Sequence, residues 1–197
     1  QAQLQRDRHH DIDIHRTPIY ITPYESKKYK NIFIKHLEKC KSLGHTGVVS
    51  NIGGVQTEIV NPFKIKDCWK EPLHKYISQF KKVKDFKIVI QSCWVNQNFV
   101  ADYNMPHNHV GPTVQFSGIW YIKAQKNSGD VLFLNSPENS DPTNLYKYID
   151  DPLGWINYRI TPEDNKLILF PSTLVHLVEP SRSSQDRISV AFNVSLI

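Results

Sequence analysis

Two histidines two positions apart, His107 and His109 in the stretch PHNHVGPTVQFSGIWYIKA, stand just ahead of a run that reads as a buried strand. In a strand, residues i and i+2 point to the same face. The two imidazoles therefore converge on one point wherever the chain before Gly111 is extended. A third imidazole, His176 in LFPSTLVHLVEP, follows 67 residues after His109 on another predicted strand. One close pair and one remote residue is a common way for a β-sandwich to hold a metal, and neutral imidazole suits Fe, Zn, Cu and Ni. Arg187 comes eleven positions after His176, in RISVAFN, beyond the turn-rich PSRSSQD. The expectation is a hairpin of the His176 and Arg187 strands, which places Arg187 and Ser189 on one wall of the same cavity. A guanidinium fork pairs two N–H groups with a carboxylate, and a hydroxyl adds a further donor. A metal and such a clamp in one barrel mouth suit a dicarboxylate that chelates at one end and forms a salt bridge at the other.

Something must position these side chains. IVIQSCWVNQ, TVQFSGIWYIKA, GDVLFLNSP, GWINYRIT, NKLILFPS, LVHLVEP and RISVAFNVSLI are short runs rich in β-branched and aromatic residues, separated by turn signals. Seven strands at this spacing predict an antiparallel sandwich or barrel. Upstream, YESKKYKNIFIKHLEKCKSLG carries Tyr29, Phe33, Leu37 and Cys40 at helical steps, with Gly44 as a stop. DCWKEPLHKYISQFKKVK carries Trp69, Leu73, Ile77 and Phe80 as one stripe, with Asp67 as a cap. The expected architecture is mainly β with two flanking helices over one outer face. The chain of 197 residues is read as one domain, with 1–15 a flexible tail, 16–86 a helical support region and 87–197 the core that carries the site.

Composition excludes some classes. No apolar window approaches a membrane span, and the polar opening QAQLQRDRHHD has no signal-peptide core, so a cytoplasmic protein is expected. Cys40, Cys68 and Cys93 are widely spaced, which argues against a disulfide framework or a thiolate zinc site. No phosphate-binding glycine loop is present. Net charge is +5, and residues 1–90 hold 17 Lys/Arg against 9 Asp/Glu. A solvated helix face explains that excess, and a nucleic-acid or acidic-protein surface is the sharper alternative. His9, His10 and His15 beside Asp11 and Asp13 are able to bind a metal adventitiously, but their place in a polar terminal segment reads instead as a flexible tail. The long connection from Glu138 to Asp151 reads as either a lid or an insertion.

The order HNH, FSGIWYIKA, SGDVLFLNSP, LFPSTLVHLVEP and RISVAFN resembles the Fe(II)/2-oxoglutarate-dependent oxygenase superfamily, in particular the family of this type found in marine phages and bacteria. The resemblance spans Trp94 to Ile197, with a weaker echo in TPIYITPY. It implies a double-stranded β-helix, or jelly roll, with Fe(II) in its mouth and 2-oxoglutarate and O2 as co-substrates. Oxoglutarate would meet the metal through its keto-acid end and Arg187 through its distal carboxylate. Hydroxylation of a protein side chain, a nucleobase or a small molecule is the implied outcome.

The superfamily pattern is His-x-Asp/Glu, a distal His, and an Arg about ten residues later followed by x-Ser. His107, His176, Arg187 and Ser189 fall on it. His109 stands where the pattern has a carboxylate, which leaves Fe(II) at a formal +2 rather than +1. Three routes stay open: His109 is the third ligand, Asp102 or Asp130 supplies an oxygen, or the position is empty or water-filled. Only His109 has the i+2 spacing. Tyr121 joins as a donor to an oxoglutarate carboxylate if it points inward and its neighbour Trp120 outward. Asn193, six residues past Arg187 on the same face, joins as a cofactor-binding candidate. Trp94, Asn96, Tyr103 and Asn104 are candidates for the cavity lining, with ordinary packing as the plainer reading. The competing classes are a non-catalytic or virion-associated jelly roll that keeps a metal, and a nucleic-acid-binding protein that uses the lysine-rich half. An HNH-nuclease reading fails, because that fold draws its residues from separated positions.

Overall fold

The computed structural model describes residues 17–47, 50–134 and 157–197. In chain order its elements are β1 (Tyr20–Pro23), α1 (Lys27–Leu43), β2 (Thr46–Gly47), β3 (Asn51–Ile52), β4 (Val55–Thr57), a 3-10 turn (Pro62–Lys64) and α2 (Lys70–Ile77). There follow β5 (Ile88–Asn98), β6 (Tyr103–His107), β7 (Phe116–Lys123), β8 (Val131–Phe133), β9 (Tyr158–Ile160), β10 (Lys166–Pro171), β11 (His176–Val178) and β12 (Arg187–Leu196). The seven predicted strand runs are all present. The tail with His9, His10 and His15 and the connection from Glu138 to Asp151 lie outside the described residues.

Two antiparallel sheets face each other. The larger has the order β1-β10-β7-β12-β5-β4-β2 and the smaller β3-β6-β11-β8-β9. β7 lies inside the larger sheet and is covered on both sides, which is why FSGIWYIK is nearly all apolar. Alternation then sorts its side chains. Trp120 joins the core beneath the helices, and Ile119 and Tyr121 join the core between the sheets. This is a double-stranded β-helix. The region 16–86 is more than helical support, since it supplies β1 to β4 to both sheets.

α1 begins at Ser26, whose Oγ accepts the Tyr29 N–H, and ends at Gly44 with φ 69°. Its buried stripe is Tyr29, Phe33, Leu37 and Cys40. Each large apolar side chain so buried contributes about 1.5–3 kcal/mol. Asp67 does not cap α2. Trp69 holds the N-cap position in the left-handed region at φ 58°, with no side-chain cap. That backbone costs on the order of 1–3 kcal/mol. It carries the Trp69 indole onto the Phe192 ring, stacked at 3.8 Å and 7°, which offsets the strain. Phe80 lies past the end of α2, half exposed against Tyr76 and Phe116.

The expected hairpin of the His176 and Arg187 strands does not form. β11 pairs with β6 and β8, while β12 pairs with β5 and β7 in the other sheet. The intervening turns bond outward instead: Ser181 exchanges backbone hydrogen bonds with Ala101 and Asp102, and Arg182 donates to Asn127. The chain therefore crosses between sheets, and the two residues line one cavity from facing sheets. All three cysteines are free and buried. Among the described residues no helix is long and apolar enough to cross a membrane.

Candidate active site

His107, the last residue of β6, is the direct antiparallel partner of His176, the first of β11. The ladder stops there, but His109 stays in line because its N–H donates to Ser172 O at 2.9 Å. The three rings gather, with centroids 4.4 Å apart for His107–His176, 5.2 Å for His107–His109 and 5.3 Å for His109–His176. One nitrogen from each lies within 4.8 Å of the others. Two of the tautomers are set by the backbone. His107 Nδ1 lies 2.7 Å from Met105 O, and His176 Nδ1 lies 3.0 Å from Leu174 O. A carbonyl only accepts, so each Nδ1 carries the proton and each Nε2 keeps a bare lone pair. Ser50 Oγ stands 3.5 Å from His107 Nε2.

Burial favours the neutral form of all three imidazoles. It depresses His176 to about 3 and His109 to about 4, and lowers His107, with the neighbouring rings adding to the effect on His109 and His176. Trp94 stacks on His109 at 5.6 Å and 16°, and Asn193 lies near enough to its ring to favour the charged form against burial. Among the described residues no carboxylate joins the cluster. Asp102 accepts the Phe99 N–H at 2.7 Å, and Asp130 faces Arg159 at 3.3 Å. Both carboxylates that stood as alternative ligands are thus committed elsewhere. Three neutral lone pairs on one point, without an acid, fit a divalent cation such as Fe(II).

The histidines share one cavity with Trp94, Asn96, Tyr121, Arg187 and Ser189. Arg187 is only 2 % exposed. Its Nη1 donates to Ser128 O at 2.6 Å and Gly129 O at 2.7 Å, and its Nη2 to Asn98 Oδ1 at 3.0 Å. Gly129 takes φ 96°, and a Cβ there would lie 2.3 Å from Glu179 O and 3.0 Å from Nη1, so a bare backbone is what lets the turn close on the guanidinium. Arg187 Nε and Asn96 Oδ1 are buried without a hydrogen-bond partner among the described residues. Such orphans in a cavity fit a polar guest. Tyr121 is buried beside Arg187. Burial pushes its hydroxyl up to about 12, and the guanidinium pulls the other way. A neutral phenol, a cation and the Ser189 hydroxyl at one end fit a carboxylate, as the imidazoles at the other end fit a metal.

Asn193 departs from its expected place. Six residues of strand carry it about 20 Å from Arg187, and it sits at the histidine end. It accepts from Ser117 Oγ at 2.9 Å and donates to Ser92 Oγ at 3.0 Å. Tyr103 pairs with Ile52 in the smaller sheet and is not part of the lining, whereas Asn104 is. Ser50 and Gln56 line the cavity too, and sequence reasoning missed both. They come from the short strand region between the helices, where only tertiary pairing with β6 and β5 reveals them.

The family described as "Putative 2OG-Fe(II) oxygenase" matches residues 92–193, which hold both ends of this cavity. Several solved structures share the fold. A Pseudomonas putida prolyl-4-hydroxylase aligns at TM-score 0.57 and 14% identity, over 91% of this chain and 92% of that one. The viral collagen prolyl hydroxylase of Paramecium Bursaria Chlorella virus-1, as its 2OG complex, aligns at 0.56 and 14%, over 89% and 94%. HygX from Streptomyces hygroscopicus, with nickel and 2-oxoglutarate bound, aligns at 0.54 and 12%, over 91% and 83%. No curated protein sequence matches the chain. The family match, which takes in more than half of the residues, sets the oxygenase reading above that of a non-catalytic jelly roll. This chain belongs to the 2OG-Fe(II) oxygenase family, whose members are dioxygenases that use Fe(II), 2-oxoglutarate and O2.

Proposed function

We propose that the chain is a hydroxylase in which His107, His109 and His176 hold the iron and Arg187, with Tyr121 and Ser189, receives the distal carboxylate of 2-oxoglutarate. One observation carries this reading: a nitrogen from each of three imidazoles gathers at one end, and a buried guanidinium stands at the other, of a single cavity. Two of the structural relatives are prolyl hydroxylases by name, which supports hydroxylation as the reaction type. The bound iron supplies oxygen activation: each turnover consumes one O2 and one 2-oxoglutarate, and yields CO2, succinate with one oxygen atom, and product with the other.

The protein's own residues do the rest. The Met105 and Leu174 carbonyls fix two ligand tautomers, so the lone pairs face inward before any metal arrives. Stacking on Trp94 holds the plane of His109. Ser128, Gly129 and Asn98 aim the guanidinium, and Ile119 and Val178 help keep water out.

The test is anaerobic. Fe(II) and 2-oxoglutarate together should give the weak visible band of a chelate and raise the unfolding temperature beyond either alone. Absence of both the band and the stabilisation would overturn this assignment of the residues.

A further inference from the structure

On its outer side the histidine cavity gives onto a groove walled by Gln56, Ile59, Trp94, Met105 and Pro106. Beyond it lies a second hollow, walled by Ile32, Lys35, His36, Lys39 and Lys64. The two adjoin at Glu58 and Ile59, which line both, and together they make a track along the surface. Helical spacing explains the far bank. Ile32, Lys35, His36 and Lys39 stand at i, i+3, i+4 and i+7 of α1 and present one stripe to the hollow. Lys64 faces them from the 3-10 turn. All three lysines are exposed, and none pairs with a carboxylate among the described residues.

The bank beside the histidines is chemically different. Ile59 and Met105 are 58% and 48% exposed, and no Lys or Arg lines that stretch. Glu58, the one acid of either stretch, lines both and sits 3.5 Å from His45 Nδ1. The wall runs from Gln56, which touches the histidine cavity, to Asn61 in the lysine hollow. That run of chain reaches at most about 17 Å, the span of an extended peptide of about five residues.

We propose that this track takes a peptide substrate whose reacting residue has apolar neighbours and is separated by about five residues from a cluster of Asp or Glu. The proposal rests on the oxygenase reading of the adjoining cavity. Charge selects the partner class. A single-stranded nucleic acid carries a phosphate at every nucleotide, including the one beside the reacting base, and there the groove offers no Lys or Arg, only apolar and uncharged polar side chains and Glu58. A peptide can segregate its apolar and acidic parts, as these walls do.

The test uses the full chain loaded anaerobically with Fe(II) and 2-oxoglutarate, read by fluorescence anisotropy. The probes are labelled peptide libraries, randomised at the centre, with apolar flanks and a run of Glu about five residues to either side. Their Glu→Gln twins and a single-stranded oligonucleotide of similar length serve as comparisons. The Glu libraries should bind about 10-fold or more tightly than the Gln twins. That preference should vanish in K35E/K39E/K64E, and shrink from about 50 to about 300 mM salt. Stabilisation by 2-oxoglutarate should be unchanged in the variant. Should the charge reversals fail to fold, the K35Q/K39Q/K64Q protein is expected to lose the same preference. Equal affinity for Glu and Gln libraries, or a preference indifferent to the lysines, overturns the proposal. So does an oligonucleotide that binds more tightly than the Glu libraries through the same lysines. If 2-oxoglutarate fails to stabilise the wild-type protein, the fault lies in the oxygenase assignment. If it stabilises and no Glu preference exists, only the substrate inference falls.

Discussion

Replacing Arg187 by Lys separates two roles that one side chain holds. The guanidinium donates to Ser128 O, Gly129 O and Asn98 Oδ1, and so ties β12 to the turn before β8 and to the end of β5. A lysine ammonium keeps the charge but cannot span that fork. At least one buried acceptor loses its partner, at about 1.5–3 kcal/mol for a hydrogen bond to a charged group. Two losses set the upper end, so the expected cost is about 1.5–6 kcal/mol, or roughly 3–24 °C in unfolding temperature for a domain of this size. Scanning calorimetry of the metal-free R187K protein reads that cost in isolation. The second role appears only with ligand. At saturating Fe(II), the further stabilisation by 2-oxoglutarate follows RT ln(1 + [L]/Kd) and should fall steeply in R187K. An unfolding temperature within about 1 °C of wild type, with 2-oxoglutarate stabilisation intact, would refute both halves of the reasoning.

Three further outcomes follow from the geometry. His109→Ala should lower bound iron well below one per chain as read by metal analysis, while His109→Asp retains it; full occupancy in the alanine variant removes His109 from the ligand set. The unfolded chain protonates its histidines near about 6.5, whereas burial holds His176 at about 3 and His109 at about 4. Above the unfolded value both states are neutral and stability is flat; below it the unfolded state alone gains protons. Metal-free protein should therefore lose up to about 1.4 kcal/mol per pH unit per histidine between about pH 6 and pH 4, and a urea midpoint constant over that range contradicts it. Gly118→Ala would set a Cβ 2.2 Å from the Phe192 ring, which Trp69 pins from the other side at 3.8 Å. A loss of about 1–3 kcal/mol in chemical denaturation is expected, and a neutral substitution would mean that the two rings can slide.

Much of this arrangement was legible in the residues. The Tyr29, Phe33, Leu37 and Cys40 period and Gly44 gave α1 because its propensity, stripe and stop all agree. The i+2 spacing of His107 and His109 brought their rings together even though β6 ends between them, since the Ser172 carbonyl continues the extended course. β2, β3 and β4 escaped notice because two or three residues carry no readable period, and with them went Ser50 and Gln56. Turn composition marked a turn after His176 but not its destination, so a crossing between sheets read as a hairpin. Asp67 looked like a cap, yet stacking of Trp69 on Phe192 set where the helix begins. The anchoring of Arg187 was invisible for a deeper reason: two of its three acceptors are backbone carbonyls, which every residue possesses.

The head-on pairing of His107 with His176 reaches beyond chemistry. β3, β8, β9 and β11 are each only two or three residues long, so few ladder bonds secure the smaller sheet. An ion gripped by those rings would rivet β6 to β11 at mid-sheet. Loading would then govern how often that sheet opens, and amide exchange or protease nicking there would report occupancy. Empty chains would be the ones that quality control could recognise and remove.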